Sequence, residues 1–188
     1  RIPCRFHALF TPEHPTTMPR FVAFLRGVSP MNAKMPALKA SFESAGFTQV
    51  RTVLASGNVV FDAVETAEAV IERRAEAAMA RELGRAFFTI VRPVARLREM
   101  LSDPPFEAHG IAPHAKRVVS FLRAAQAPRV PLPLAQDMAS VFLCTRREVF
   151  TAYVPTGNGP VFMNLIERAF GTELTTRTWE TVARCAAA

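Results

Sequence analysis

The sequence predicts an α+β protein built of two ferredoxin-like (βαββαβ-type) subdomains that arose from an internal duplication. Three observations lead there. Between residues 20 and 92 the apolar patterning runs strand, helix, strand, strand, helix, strand, the order of a split βαβ unit. Later, Arg117-Val118-Val119-Ser120-Phe121-Leu122-Arg123 repeats Arg20 to Arg26 with five of seven residues identical. Between the two lies 103–115, where Pro104, Pro105, Gly110 and Pro113 mark a linker. The expected organisation is therefore an N-terminal extension 1–17, subdomains 18–102 and 116–188, and the linker 103–115.

Each element has its reason. Arg20 to Arg26 is apolar on both alternating faces, as a central strand requires, and Gly27 ends it. After the loop 28–35, Pro36 suits a first helical turn, Leu38, Phe42 and Ala45 share a face, and Gly46 stops the helix. A hairpin over 50–62 follows, with a tight polar turn expected at Ser56-Gly57-Asn58. The longest helix, about Thr66 to Leu83, carries Val70, Ile71, Ala75, Ala78 and Met79 at helical spacing and closes on Gly84. Ala86 to Arg92 reads as the fourth strand, and Pro93 opens a short helix.

The second half begins with the repeated strand. A Pro-rich connector leads to strands Ser140–Thr145 and Glu148–Val154 around an Arg146-Arg147 turn. A helix from about Pro160 to Phe170 stops at Gly171, and a last helix begins near Thr178 with Trp179, Val182 and Ala183 inward. This reads as a βαββα variant whose first helix is short or lost.

A chain of 188 residues buries about 70% of its unfolded surface, so its core needs neither disulfide nor metal. Cys4, Cys144 and Cys185 are odd in number and widely spaced, which fits a reducing cytoplasm rather than a disulfide framework. His109 and His114 are off helical ligand spacing, and no cofactor motif is present. No apolar run has transmembrane length, so no membrane role is expected. Residues 1–17 lack a signal-peptide core and read as a poorly structured extension ahead of a start at Met18.

The net charge is +7, carried almost wholly by arginine. A GC-rich genome explains that composition; an anionic partner is the other explanation. Arg73, Arg74, Arg81 and Arg85 stand beside Glu68, Glu72, Glu76 and Glu82, which reads as a solvated, self-compensating helix face.

Topology supplies the candidate site. In a split βαβ sheet the third strand lies antiparallel beside the first, so Arg26-Gly27 meets Ser56-Gly57-Asn58. The first helix starts at the same edge with its unpaired N–H groups, near Lys34. Arg26, Gly27, Lys34, Ser56, Gly57 and Asn58 are together the parts of an anion or phosphate pocket. Each also has an ordinary turn or surface role.

These residues resemble a known bacterial family of uncharacterised proteins, DUF1697. The resemblance rests on Phe24-Leu25-Arg26-Gly27-Val28, Met35, Gly46-Phe47 before Val50-Arg51-Thr52, Ser56 to Phe61, Pro105-Phe106, and Thr175 to Val182. It spans residues 18 to about 184. It implies a duplicated, ferredoxin-like α+β fold and no established activity. Arg177, carried by the closing motif, adds a cation facing the hairpin edge or a subdomain interface. Two departures stand out: both glycines of the family's loop after the first strand are missing at 28–34, and Thr178 replaces an asparagine.

The resulting reading is a cytoplasmic protein that binds a small anionic or phosphorylated ligand at the Arg26/Ser56–Asn58 edge, with no reaction or oligomeric state assigned. A nucleic-acid-binding module ranks below it, because Val59-Val60-Phe61 offers few stacking aromatics. A non-catalytic interaction domain is the third possibility.

Overall fold

The computed structural model describes residues 18–156 and 159–188; the predicted extension 1–17 lies outside the described residues. The elements run β1 (Arg20–Leu25), α1 (Met35–Ser44), β2 (Thr48–Thr52), β3 (Asn58–Asp62), α2 (Glu68–Leu83), β4 (Thr89–Pro93) and α3 (Val94–Ser102). They continue as β5 (Lys116–Leu122), β6 (Leu134–Gln136), β7 (Ala139–Cys144), β8 (Glu148–Tyr153), α4 (Val161–Phe170), β9 (Leu174–Thr178) and α5 (Trp179–Ala187). The fold is thus α+β, and the described residues form five helices and two antiparallel sheets ordered β2-β3-β1-β4 and β6-β7-β8-β5-β9.

The two sheets share a pairing scheme. Phe24 lies opposite Asn58 and Val22 opposite Arg92 in the first sheet; Phe121 lies opposite Glu148 and Val119 opposite Arg177 in the second. By register, β1, β3, β4 and α3 therefore correspond to β5, β8, β9 and α5. No helix among the described residues stands where α1 would, between β5 and β6.

Strand alternation builds the layers. On β1, Phe21, Ala23 and Leu25 face α1 and α2, while Val22 and Phe24 face the second sheet, where they meet Val119, Phe121 and Phe150. The Phe24 and Phe121 rings stack at 4.3 Å across that interface. The far face of the second sheet packs on α4 through Leu165, Ile166 and Ala169. α3 and α5 pack on each other and close the core between the sheets.

Several expectations change. The hairpin turn is not Ser56-Gly57-Asn58: residues 53–57 form a five-residue loop and Asn58 is already the first residue of β3. Val53 donates to Asn58 O at 2.8 Å, and the left-handed Leu54 and Gly57 reverse the chain. Within the segment 103–115, Phe106 is wholly buried edge-on to Trp179 at 5.0 Å. Edge strands β6 and β9 are additional to the expected elements, and the inward face of α5 is Val182, Cys185 and Ala186 rather than Ala183. Among the described residues no helix is long and apolar enough to cross a membrane.

The α2 face also differs from the solvated one expected. Glu72 and Glu76 accept the outward N–H groups of Val91 and Thr89, which covers the open edge of β4. Glu68, Glu72 and Glu76 pair with Arg92, Arg147 and Arg123 from other elements; of the four glutamates only Glu82 pairs with an arginine of its own helix, Arg81.

Candidate functional site

The predicted edge is built around Arg177. β9 is an edge strand, and its register sets the Arg177 side chain across the sheet interface over the Phe24 ring, 5.5 Å from its centroid. Its Nε donates to Asn58 Oδ1 at 2.5 Å. One terminal nitrogen donates to Leu25 O at 2.7 Å and also to the carbonyls of Ser56 and Gly57; the other donates to Thr175 Oγ1 and Thr176 O. Asn58, wholly buried, spends its own N–H groups on Val53 O and Ser56 Oγ. The result is a clasp in which the second sheet grips the end of β1 and the start of β3 in the first.

A second clasp stands at the register-equivalent place. Arg92, fully buried, lies over Phe121 and donates to Leu122 O at 2.5 Å, to Arg147 O and to Glu148 Oε1 at 3.1 Å. Leu122 N bonds Arg147 O as Leu25 N bonds Gly57 O. The outer arginines match too: Arg26 reaches Thr172 O and Glu167, and Arg123 reaches Thr89 O and Glu76.

The clasps differ in charge. Arg92 meets two carboxylates, Glu148 and Glu68. Burial would raise the Glu148 carboxyl, but the Thr145 hydroxyl and the charges of Arg92 and Arg96 hold it below its usual range. Arg177 meets Asn58, a neutral amide, in the place of Glu148, and no carboxylate contacts it among the described residues. Desolvation pushes its pKa down to about 10, so it stays charged at neutral pH without a counter-ion.

The other predicted residues surround this charge. Arg26 is exposed and only loosely paired, 3.8 Å from Glu167. The Ser56 hydroxyl is exposed, receives a bond from Asn58 and keeps its own proton to donate. Gly57 is required twice: its φ is +74°, and a Cβ there would sit 2.7 Å from Val28 Cβ. That contact lays the loop after β1 against the hairpin loop. Asn32 closes the former by donating to Gly27 O and accepting from Ser29 N, a local substitute for missing glycines. Lys34 is exposed at the start of α1; the structure gives it no contact with the others. A hollow of about 240 Å³ lined by Arg123, Gln126, Arg129 and Thr172 adjoins Arg26 through Thr172.

Sequence reasoning missed Arg92, Glu148 and the second clasp. A usable signal existed: Arg92 and Arg177 each stand two residues before a helix in the corresponding halves. His109, by contrast, donates from Nδ1 to Pro105 O and packs on Phe142.

A family model for a protein of unknown function, DUF1697, matches residues 18–150, well over half of the chain. The chain belongs to the DUF1697 family. The match stops before the closing stretch that carries Arg177. Among solved structures, the conserved bacterial protein SP0830 from Streptococcus pneumoniae matches with a TM-score of 0.68 at 14% identity, over 91% of this chain and 98% of that one. That likeness extends the shared fold through both sheets. No curated protein matches.

Proposed function

We propose that this DUF1697 protein binds a small anionic or phosphorylated compound at the end of β1, where Arg26, Lys34 and the Ser56 hydroxyl would meet it. The observation that carries the reading is the uncompensated Arg177 charge. A desolvated cation without a counter-ion is unfavourable, and the equivalent Arg92 has two carboxylates. An anion at this edge would supply what Asn58 does not. The donors of Arg177 are already engaged, so Arg177 contributes its field and Arg26 and Ser56 the contacts. No reaction is assigned to the site.

A thermal-shift series with inorganic phosphate, sugar phosphates and nucleotides tests this. A ligand at a hundred times its Kd stabilises by about 2.7 kcal/mol. The expected result is a shift that shrinks in Arg26→Ala and Lys34→Ala. Absence of any shift at millimolar probe, or an equal shift in Arg26→Ala, would refute it.

We further read the two halves as ferredoxin-like copies of one duplicated unit, the second without its first helix. The shared register, the Phe24–Phe121 stack between matching positions and the paired arginine clasps support this. Free Cys144 and Cys185 suit a cytoplasmic setting. The nucleic-acid alternative loses its usual platform, because the sheet faces that would stack bases are packed against each other.

A further inference from the structure

The two sheets also differ at a second pair of matched positions. In the first sheet Arg20 lies opposite Asp62 and pairs with it at 2.5 Å. In the second sheet the corresponding Arg117 lies opposite Ala152. No carboxylate pairs with Arg117 among the described residues, and its buried Nε–H has no acceptor. Its guanidinium rests over the Phe106 ring, 5.0 Å from the centroid, which fixes the charge in place.

Arg117 lines an open hollow of about 340 Å³, and a second of about 420 Å³ shares Ala115 and Tyr153 with it as a common wall. Both volumes are in the range of small-ligand sites. Trp179 and Lys116 line the first, and Ser140 lines the second. Tyr153 stands where the first half has Ala63, and Trp179 where it has Val94, so the aromatic groups are additions of the second half. Glu180, the acid of the first hollow, is engaged by Arg184 at 2.5 Å, and Lys116 is exposed.

We infer that this trough is a binding site for a planar aromatic compound bearing an anionic group, such as a nucleoside monophosphate. The ring would lie against Trp179 and Tyr153, whose other side is stacked on Phe162 at 4.1 Å, and the anion within reach of Lys116 and Arg117, which both line the first hollow. A carboxylate at position 152, lost from the first-half pattern, would repel such a ligand beside Arg117; the acids that do line the hollows are Glu180, engaged by Arg184, and Asp137.

Trp179 is the single tryptophan, so its fluorescence reads occupancy directly. Titration with adenosine 5′-monophosphate is expected to give a saturable change, with adenosine and ribose 5-phosphate each weaker. Lys116→Ala, an exposed substitution that leaves the fold intact, and Ala152→Asp should each weaken binding on the order of tenfold, about 1.4 kcal/mol. Arg26→Ala should leave the signal unchanged, which separates this trough from the edge at β1. The inference is overturned by no saturable change at millimolar nucleotide, by Lys116→Ala binding as wild type, or by loss of the signal in Arg26→Ala.

Discussion

Arg177→Met tests whether Arg177 is a clasp between the sheets. Methionine keeps an unbranched stem over Phe24 and removes every donor. Ser56 is exposed and its carbonyl finds water. Thr175 is buried, but its hydroxyl can donate as well as accept, so it keeps hydrogen-bonding capacity. Asn58 Oδ1 and Leu25 O only accept, and both residues are buried. Each orphaned buried acceptor costs roughly 1–3 kcal/mol, so the loss is about 2–6 kcal/mol, reduced by freeing a desolvated cation. A net loss of about 3 kcal/mol corresponds to a Tm decrease of about 6–12 °C in a chain of this size. Arg92→Met should cost more, about 3–5 kcal/mol, because it strands the Glu148 carboxylate as well as Leu122 O. Calorimetry of both variants decides the matter. An Arg177→Met protein that melts within 2 °C of wild type, or one less stable than Arg92→Met, refutes the reasoning.

Two further outcomes follow from the same geometry. Gly57→Ala should lose about 2 kcal/mol or more through its left-handed φ and its clash with Val28, whereas Gly27→Ala, with open space around it, should lose only about 1 kcal/mol; thermal melts give the comparison. Glu148 has a lowered folded pKa, so its stabilisation is present above the unfolded value and is lost as pH falls through the folded one. Glu148→Gln should therefore flatten the decline of Tm with acidification below about pH 4.5.

How far the sequence discloses this molecule depends on where each residue's partner lies. β1 and β5 are legible because a central strand must be apolar on both faces. β9 is not, because Leu-Thr-Thr-Arg-Thr is a polar edge strand, and β6 is three residues inside a proline-rich run. Val53 and Leu54 look like strand continuation, but Leu54 adopts φ +60° and the loop lengthens. Helical spacing correctly groups Glu68, Glu72 and Glu76 on one face. Spacing carries no information about which sheet supplies the opposing arginines. The juxtaposition at the candidate edge is legible, since antiparallel pairing of β1 with β3 brings Leu25, next to Arg26, onto Gly57. The commitment of Arg177 and Asn58 to each other was not, because that contact crosses between halves 119 positions apart.

At two matched positions one half holds a carboxylate beside an arginine and the other does not: Glu148 against Asn58, and Asp62 against Ala152. Packing alone does not require the difference, since asparagine and aspartate have nearly the same shape. Asn58→Asp therefore isolates charge from structure. The new carboxylate would pair with Arg177 as Glu148 pairs with Arg92, at the expense of the donor now bonded to Val53 O. The ion pair and the lost bond, about 1 kcal/mol, oppose each other, so stability at neutral pH should change little. Any gain should vanish on acidification, because a carboxylate beside a fixed cation has a lowered pKa. The phosphate binding proposed at the β1 edge should be lost in the same variant, since the Arg177 field on which the proposal rests would be cancelled. An Asn58→Asp protein that folds as wild type and still binds the anion unchanged would show that the missing carboxylate has no functional meaning.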